Sequence, residues 1–196
     1  MHDGSLLHTT KKQVKVLEDF KGLKIREPNR QSSKMVAALG ATPVPMPLPQ
    51  AAEALSKGVI DGAIIPWEVM PTMKFEEIVK FHTDAGAGEA QISNTAFIFA
   101  MNQAKYDSLP PDLKKVIDAN SGPEASAWVG KVFTDDITPG RKAAEARKNT
   151  FYSLPDAEVK RWEAATAGVA DEWVKEMNAK GFDGKRLLEE AKAGTK

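Results

Sequence analysis

An α/β fold with a mainly parallel sheet is what the sequence predicts, and two observations predict it. Between Gly22 and Trp67 short apolar runs alternate with short helical segments in the order strand, helix, strand, helix, strand, joined by short connections. Such units close as right-handed crossovers, which lay successive strands parallel. The second observation is bulk: 196 residues, 42% hydrophobic and 28% charged, is the balance of a globular chain long enough to bury a core.

The elements follow in order. Leu23-Lys24-Ile25-Arg26-Glu27 alternates as a strand does and is stopped by Pro28-Asn29. Ser32 or Ser33 is a candidate cap for a helix through Met35, Val36 and Leu39, with Gly40 just past its end. Ala41 to Pro47 reads as a strand, irregular or near an edge because Pro43, Pro45 and Pro47 donate no ladder hydrogen bond. Pro49 opens a helix over Ala51 to Lys57, closed by Gly58, and Val59 to Ile65 is the third strand. A fourth strand is expected over Ile92 to Met101, with Phe97, Ile98 and Phe99 buried. Beyond it the chain turns helical. Pro110-Pro111-Asp112 starts a helix to about Ala119, and the capping-box spacing of Ser121 and Glu124 starts another that carries Trp128, Val132 and Phe133 on one side. Pro139-Gly140 breaks or kinks that helix, which resumes over Arg141 to Lys148. A short strand at Thr150-Phe151-Tyr152 precedes a second capping box at Ser153 to Asp156. This opens a helix with Trp162, Val169, Trp173 and Met177 at helical spacing, ended by Gly181, before a last amphipathic helix with Phe182, Leu187 and Leu188.

Composition removes whole classes of function. Twenty-seven basic residues offset twenty-seven acidic ones, so there is no electrostatic footprint for nucleic acid and no polybasic segment for a membrane surface. No apolar run approaches the roughly 18–20 residues that span a bilayer. The absence of cysteine excludes disulfides, thiolate catalysis and cysteine-based metal sites. His2, His8 and His82 are too scattered for a metal site, and no metalloprotease, hydrolase-elbow, P-loop or dinucleotide fingerprint is present. The acidic pairs (Glu18/Asp19, Glu76/Glu77, Asp135/Asp136, Glu189/Glu190) are adjacent in sequence, point apart on a helix and read as solvated faces. Nothing here argues for catalysis, a metal or a cofactor.

A binding site is a different matter. In open α/β sheets ligands bind beyond the carboxyl ends of the strands. Three such ends are expected to converge: Arg26 to Asn29, Met46 to Leu48, and Ile65 to Trp67. A guanidinium, apolar side chains and an indole together describe a pocket for a small organic anion. Arg26 would grip a carboxylate through two parallel charge-assisted hydrogen bonds, a geometry lysine cannot reproduce. Trp67 and Leu48 would cover its carbon skeleton. The competing readings are a surface ion pair between Arg26 and its neighbour Glu27, and Trp67 as a core anchor. Trp128, Trp162 and Trp173 sit on amphipathic faces and read as packing. His8 either reaches a ligand or is a solvated loop residue.

The sequence also resembles a known family, the substrate-binding proteins of tripartite ATP-independent periplasmic (TRAP) transporters of the C4-dicarboxylate type. The likeness is carried by Leu17-Glu18-Asp19-Phe20-Lys21-Gly22-Leu23-Lys24-Ile25-Arg26-Glu27-Pro28, then by Leu39 to Met46, Glu53-Ala54-Leu55 and Gly58-Val59-Ile60-Asp61-Gly62. Met101-Asn102, Leu109 to Leu113 and Gly181-Phe182-Asp183-Gly184 continue it to the end of the chain. The resemblance implies a two-lobed periplasmic binding protein fold that closes on an organic acid and delivers it to TRAP membrane permease subunits in the periplasm, without cofactor or catalysis. Arg26 matches the family's carboxylate-holding arginine, and Leu48 a position that is often a bulky pocket residue in relatives. Ile65 stands where some relatives carry a polar ligand contact, which argues against a richly hydroxylated sugar acid. Pro66-Trp67-Glu68 resembles a subgroup whose tryptophan approaches the pocket. A second arginine found in some hinge strands is replaced here by Leu6-Leu7-His8-Thr9, so a ligand with two carboxylates would lack that clamp.

On this reading residues 1–14 are the hinge strand region, 15–90 the second lobe, 91–120 a returning piece of the first lobe, and 121–196 the connecting helices and tail. Met1 to Ser5 have no signal-peptide pattern. Most of the N-terminal lobe is expected to be lacking. The pocket would then have one wall, and the strand at 92–101 would lose its sheet partners. Its exposed apolar edge would favour a homo-oligomer. An effector-sensing or structural module of the same fold, oligomerising without ligand, is the alternative.

Overall fold

The computed structural model describes residues 4–86 and 91–194. Its elements are β1 (Leu6–Thr9), β2 (Lys24–Glu27), α1 (Arg30–Ala38), β3 (Thr42–Pro45), α2 (Leu48–Ser56), β4 (Gly62–Ile65), α3 (Met70–Met73), α4 (Phe75–Ile78) and β5 (Phe81–Asp84). They continue as α5 (Gln103–Asp107), α6 (Pro111–Ala119), α7 (Gly122–Asp135), α8 (Ile137–Ala146), β6 (Thr150–Ser153), α9 (Asp156–Ala179) and α10 (Gly184–Ala193). Two 3-10 turns, Leu17–Phe20 and Trp67–Val69, complete the described residues.

Six strands form one sheet in the order β3-β2-β4-β1-β5-β6. β2 runs parallel to both β3 and β4, so the expected strand–helix–strand–helix–strand unit is present. β1 is antiparallel to β4 and to β5, and β5 is parallel to β6, so β1 alone runs against the other five strands. β3 lies at the edge, where Pro43 and Pro45 cost no central ladder bond.

Strand alternation gives the sheet two covered faces. Leu6, Ala63 and Ile65 point into a core with Leu55, Trp67, Met70, Phe75 and Ala144, under α2, α3, α4 and α8. Leu7, Ile25 and Ile64 point the other way, against Phe20, Val36, Leu39 and Trp162 of the first 3-10 turn, α1 and α9. One-residue alternation at Ile64 and Ile65 therefore feeds both cores, the pattern of a strand buried on both faces.

Helix ends obey local chemistry, though not always through the expected residue. α1 is capped by Asn29, whose side chain accepts from the backbone N–H groups of Gln31 and Ser32 at 3.0 Å, rather than by Ser32 or Ser33. Ser121 makes no side-chain cap to α7, and Ser153 instead donates to Asp84 at 2.9 Å. α7 ends at Asp135, four residues before Pro139. The proline ring excludes the carbonyl at that distance, so the break falls one turn upstream of the proline and Pro139 lands in the first turn of α8. Gly140 is where α8 crosses the Trp67 turn: a Cβ built there would lie 2.0 Å from the Trp67 carbonyl oxygen.

Two expectations are corrected. Residues 92–101 are not a strand: apart from the Ser5–Ser93 bridge, no backbone hydrogen bond joins residues 94–101 to another segment among the described residues. Phe97, Ile98 and Phe99 are consequently exposed rather than buried, Ile98 at 89%. An apolar run becomes a strand only when another strand satisfies its backbone. Trp128 is likewise not packing but 69% exposed, whereas Trp162 is buried against Phe20 at 4.8 Å between ring centroids.

Candidate functional site

The carboxyl ends of β2 and β4 lie side by side, next to the start of the antiparallel β1. Beyond them is a cavity of about 310 Å3, within the range of small-molecule sites. Arg26, Leu48 and Ile65 all line it, so the structure brings together three of the five predicted site residues. Ile64, Pro66 and Val69 add aliphatic wall from β4 and the turn after it. Phe97 and Phe133 close one side. The bond from the Ile92 N–H to the Ser5 carbonyl, 2.9 Å, is what draws the start of this segment to β1.

Alternation along β2 puts Ile25 in one core and Arg26 on the opposite face. Arg26 is only 5% exposed, and its Nε donates to the Met46 carbonyl at 3.0 Å. That bond orients the guanidinium plane and leaves the two terminal nitrogens as a fork. No ion pair involves Arg26 among the described residues. The expected alternative, an Arg26–Glu27 surface pair, is not what the side chains do. Glu27 is fully buried with neither carboxyl oxygen hydrogen-bonded, and burial pushes its pKa up to about 8. Near neutrality the Glu27 carboxyl is mostly protonated and leaves the Arg26 charge uncompensated. Burial also draws the Arg26 pKa down, opposed by the nearby Glu27, but a guanidinium stays charged.

Trp67 and His8 are placed elsewhere, in the layer behind the cavity. Trp67 is buried with its ring edge-on to His8 at 5.0 Å and tilted against His82 at 4.9 Å. His8 is neither in a solvated loop nor on the cavity wall: it is fully buried in β1, directly across from His82 of β5. Its Nε2 lies 3.0 Å from the Ile65 carbonyl and its Nδ1 2.6 Å from Nδ1 of His82. A carbonyl only accepts, so His8 carries its proton on Nε2. The unprotonated Nδ1 of His8 then accepts across the 2.6 Å contact, so His82 holds its proton on Nδ1 and gives it to His8, leaving its Nε2 unprotonated 3.1 Å from the Asn149 amide nitrogen. Both rings are therefore neutral. Burial, reinforced by His82, holds the His8 pKa well below the usual histidine range; burial and the charge of Arg141 bring that of His82 down to about 3. This relay ends on the carbonyl of Ile65, a wall residue of the cavity.

Nothing local in the sequence connects Phe97 or Phe133 with Arg26. The only signal for them was apolarity, which says that a residue wants cover and not beside what.

Among the described residues no group of histidines and carboxylates is arranged to hold a metal ion, and no helix is long and apolar enough to cross a membrane.

The chain is 29% identical over 170 residues to the C4-dicarboxylate-binding periplasmic protein of Rhodobacter capsulatus, covering 83% of this chain and 47% of that one. It is similar to a crystal structure of a TRAP solute-binding protein from Rhodoferax ferrireducens with copurified benzoate, at 47% identity and a TM-score of 0.91 over 98% of this chain and 60% of that one. A TRAP solute-binding protein from a marine metagenome, specific for aromatic acid ligands and holding metahydroxyphenylacetate, shares 41% identity with a TM-score of 0.91 over the same shares of the two chains. The chain thus spans about half the length of the curated relative and three fifths of each solved one. Its residues 1–177 match bacterial extracellular solute-binding protein family 7, and the chain belongs to that family of periplasmic transport proteins, which are not enzymes.

Proposed function

We propose that the protein captures a small organic monocarboxylate with an apolar body and passes it to the membrane permease of a TRAP transporter in the periplasm. The observation that carries this reading is a nearly buried guanidinium without an ion-pair partner among the described residues, facing an otherwise largely aliphatic and aromatic cavity. Arg26 would hold the carboxylate, and Leu48 and Ile65 would cover the carbon skeleton. Trp67 and His8 act from behind, by fixing the turn and the carbonyl that shape the wall. The benzoate and metahydroxyphenylacetate held by the two similar solved proteins support a ligand of this kind. Calorimetric titration of benzoate against the wild type, Arg26→Lys and Arg26→Met tests it. Loss of the charge-assisted pair should cost about 2–3 kcal/mol, a roughly 30- to 150-fold weaker affinity. Equal affinity in all three would remove Arg26 from the site.

The exposed residues 97–101 and the Trp128 face favour a second reading alongside the first: two copies cover these surfaces mutually. Light scattering should then report a dimer or larger species that Ile98→Asp dissociates. A monomeric wild type would refute it.

A further inference from the structure

The cavity beside Arg26 has three kinds of wall, one of them the polar residues Ser5, Glu68 and Thr95. Pro28, Leu48, Ile64, Ile65, Pro66 and Val69 are aliphatic, and such walls reward a buried ring by its area alone. Phe97 and Phe133 are the aromatic wall. They arrive from segments far apart in the chain, the extended residues 92–101 and helix α7, and their rings stack with centroids 6.5 Å apart and planes inclined by 27°. The same two rings also border a larger apolar hollow, of about 790 Å3, that contains Phe99, Trp128 and Val129. They therefore stand as a partition, one side of the pair turned to Arg26 and the other to the hollow.

An aromatic ring carries a negative face and a positive edge, so it gains from another ring what it cannot gain from an aliphatic side chain of equal area. Of the cavity's lining residues only Phe97 and Phe133 are aromatic. We infer that the Phe97–Phe133 pair is the specificity element of the site and makes it prefer aromatic carboxylates over alicyclic ones of the same charge and similar bulk. The inference rests on the carboxylate reading above and adds to it which residues read the ring.

Benzoate and cyclohexanecarboxylate separate charge from ring character. Their affinities should be measured calorimetrically on the full chain for the wild type, Phe97→Leu, Phe133→Leu, the double leucine variant and Phe133→Tyr, with circular dichroism confirming the fold of each. The wild type should favour benzoate roughly 3- to 10-fold. Each leucine variant should reduce that ratio and the double variant should bring it to within about twofold of unity, while Phe133→Tyr, which keeps a ring, should retain it. A wild type without preference, or a ratio unmoved by both leucine substitutions, overturns the inference. The carboxylate reading fails separately, through Arg26→Met binding both acids as tightly as the wild type.

Discussion

Stability should pass through a maximum near pH 6.5, because the cores bury two kinds of titratable group with opposite preferences. His8 and His82 are neutral in the folded protein, with His82 drawn down to about 3 from the usual 6.5. A depressed folded pKa gives stability that is present above the unfolded value and lost as pH falls below it. A second proton has no acceptor, since His8 Nε2 already faces the Ile65 carbonyl and the two Nδ1 atoms share one hydrogen across 2.6 Å. Below about pH 6.5 each histidine therefore removes about 1.4 kcal/mol per pH unit. Glu27 works the other way. Its carboxyl is raised to about 8 from 4.5, so stability is present below 4.5 and is lost as pH rises toward 8. Two protons against one leave a net loss of about 1.4 kcal/mol per pH unit on the acid side, between about pH 6 and 5. Glu27 alone gives a similar loss on the alkaline side, between about pH 6.5 and 8. Against a total stability of about 5–15 kcal/mol both limbs are measurable by urea unfolding at half-unit pH intervals. Glu27→Gln should flatten the alkaline limb and leave the acid one steeper. A stability constant within about 0.5 kcal/mol from pH 5 to 8 would refute the neutral relay and the protonated Glu27 together.

Gly140→Ala should destabilise by about 2–3 kcal/mol in the same unfolding assay, because its Cβ would lie 2.0 Å from the Trp67 backbone carbonyl, which no rotamer change relieves. Trp162→Ala should cost about 3–5 kcal/mol, since Trp162 is buried against Phe20, while Trp128→Ala on the exposed face should cost less than about 0.5 kcal/mol; equal losses would contradict the assignment of faces. Asn149→Ala removes the amide that donates to the Glu76 and Val79 carbonyls and sits 3.1 Å from His82 Nε2, and should cost about 1–3 kcal/mol. It should also speed amide exchange in β5, and unchanged exchange there would argue against the relay.

The parts legible in the sequence are those whose signal is local. The alternation of Ile25 and Arg26 placed β2 and aimed the guanidinium, and the prolines of β3 foretold an edge strand. β5, Phe-His-Thr-Asp, gave no such signal: its polar side chains are satisfied mostly by distant partners, apart from the Gly86 N–H that donates to Asp84. His82 bonds His8 and Asn149, Thr83 donates to the Val14 carbonyl, and Asp84 accepts from Ser153. The same remoteness hid the fate of Ser153, which local spacing assigned to a helix cap. Phe97 to Phe99 show the converse error. Three apolar residues in extended conformation look like buried strand from within, but burial is a property of what lies opposite.

The buried acid at position 27 explains why an arginine can wait desolvated at position 26. A charged carboxylate beside it would supply the counterion internally, and an incoming ligand would have to compete with it. Burial keeps Glu27 protonated instead, so its charge is absent when the site is empty. The cost of holding Arg26 is met partly by the Met46 carbonyl on Nε, while the outer fork keeps its capacity to donate. On the proposed reading a carboxylate arriving there would complete a pair whose desolvation has largely been endured in folding, which is the sense in which the site would be preorganised. The same arrangement limits the ligand's charge. On the proposed reading one fork would satisfy one carboxylate, and a second would enter a mostly apolar cavity where Arg26 is the one cation among the lining residues and Glu68 is of like charge. Replacing that second carboxylate by a ring turns the same walls from a penalty into a gain.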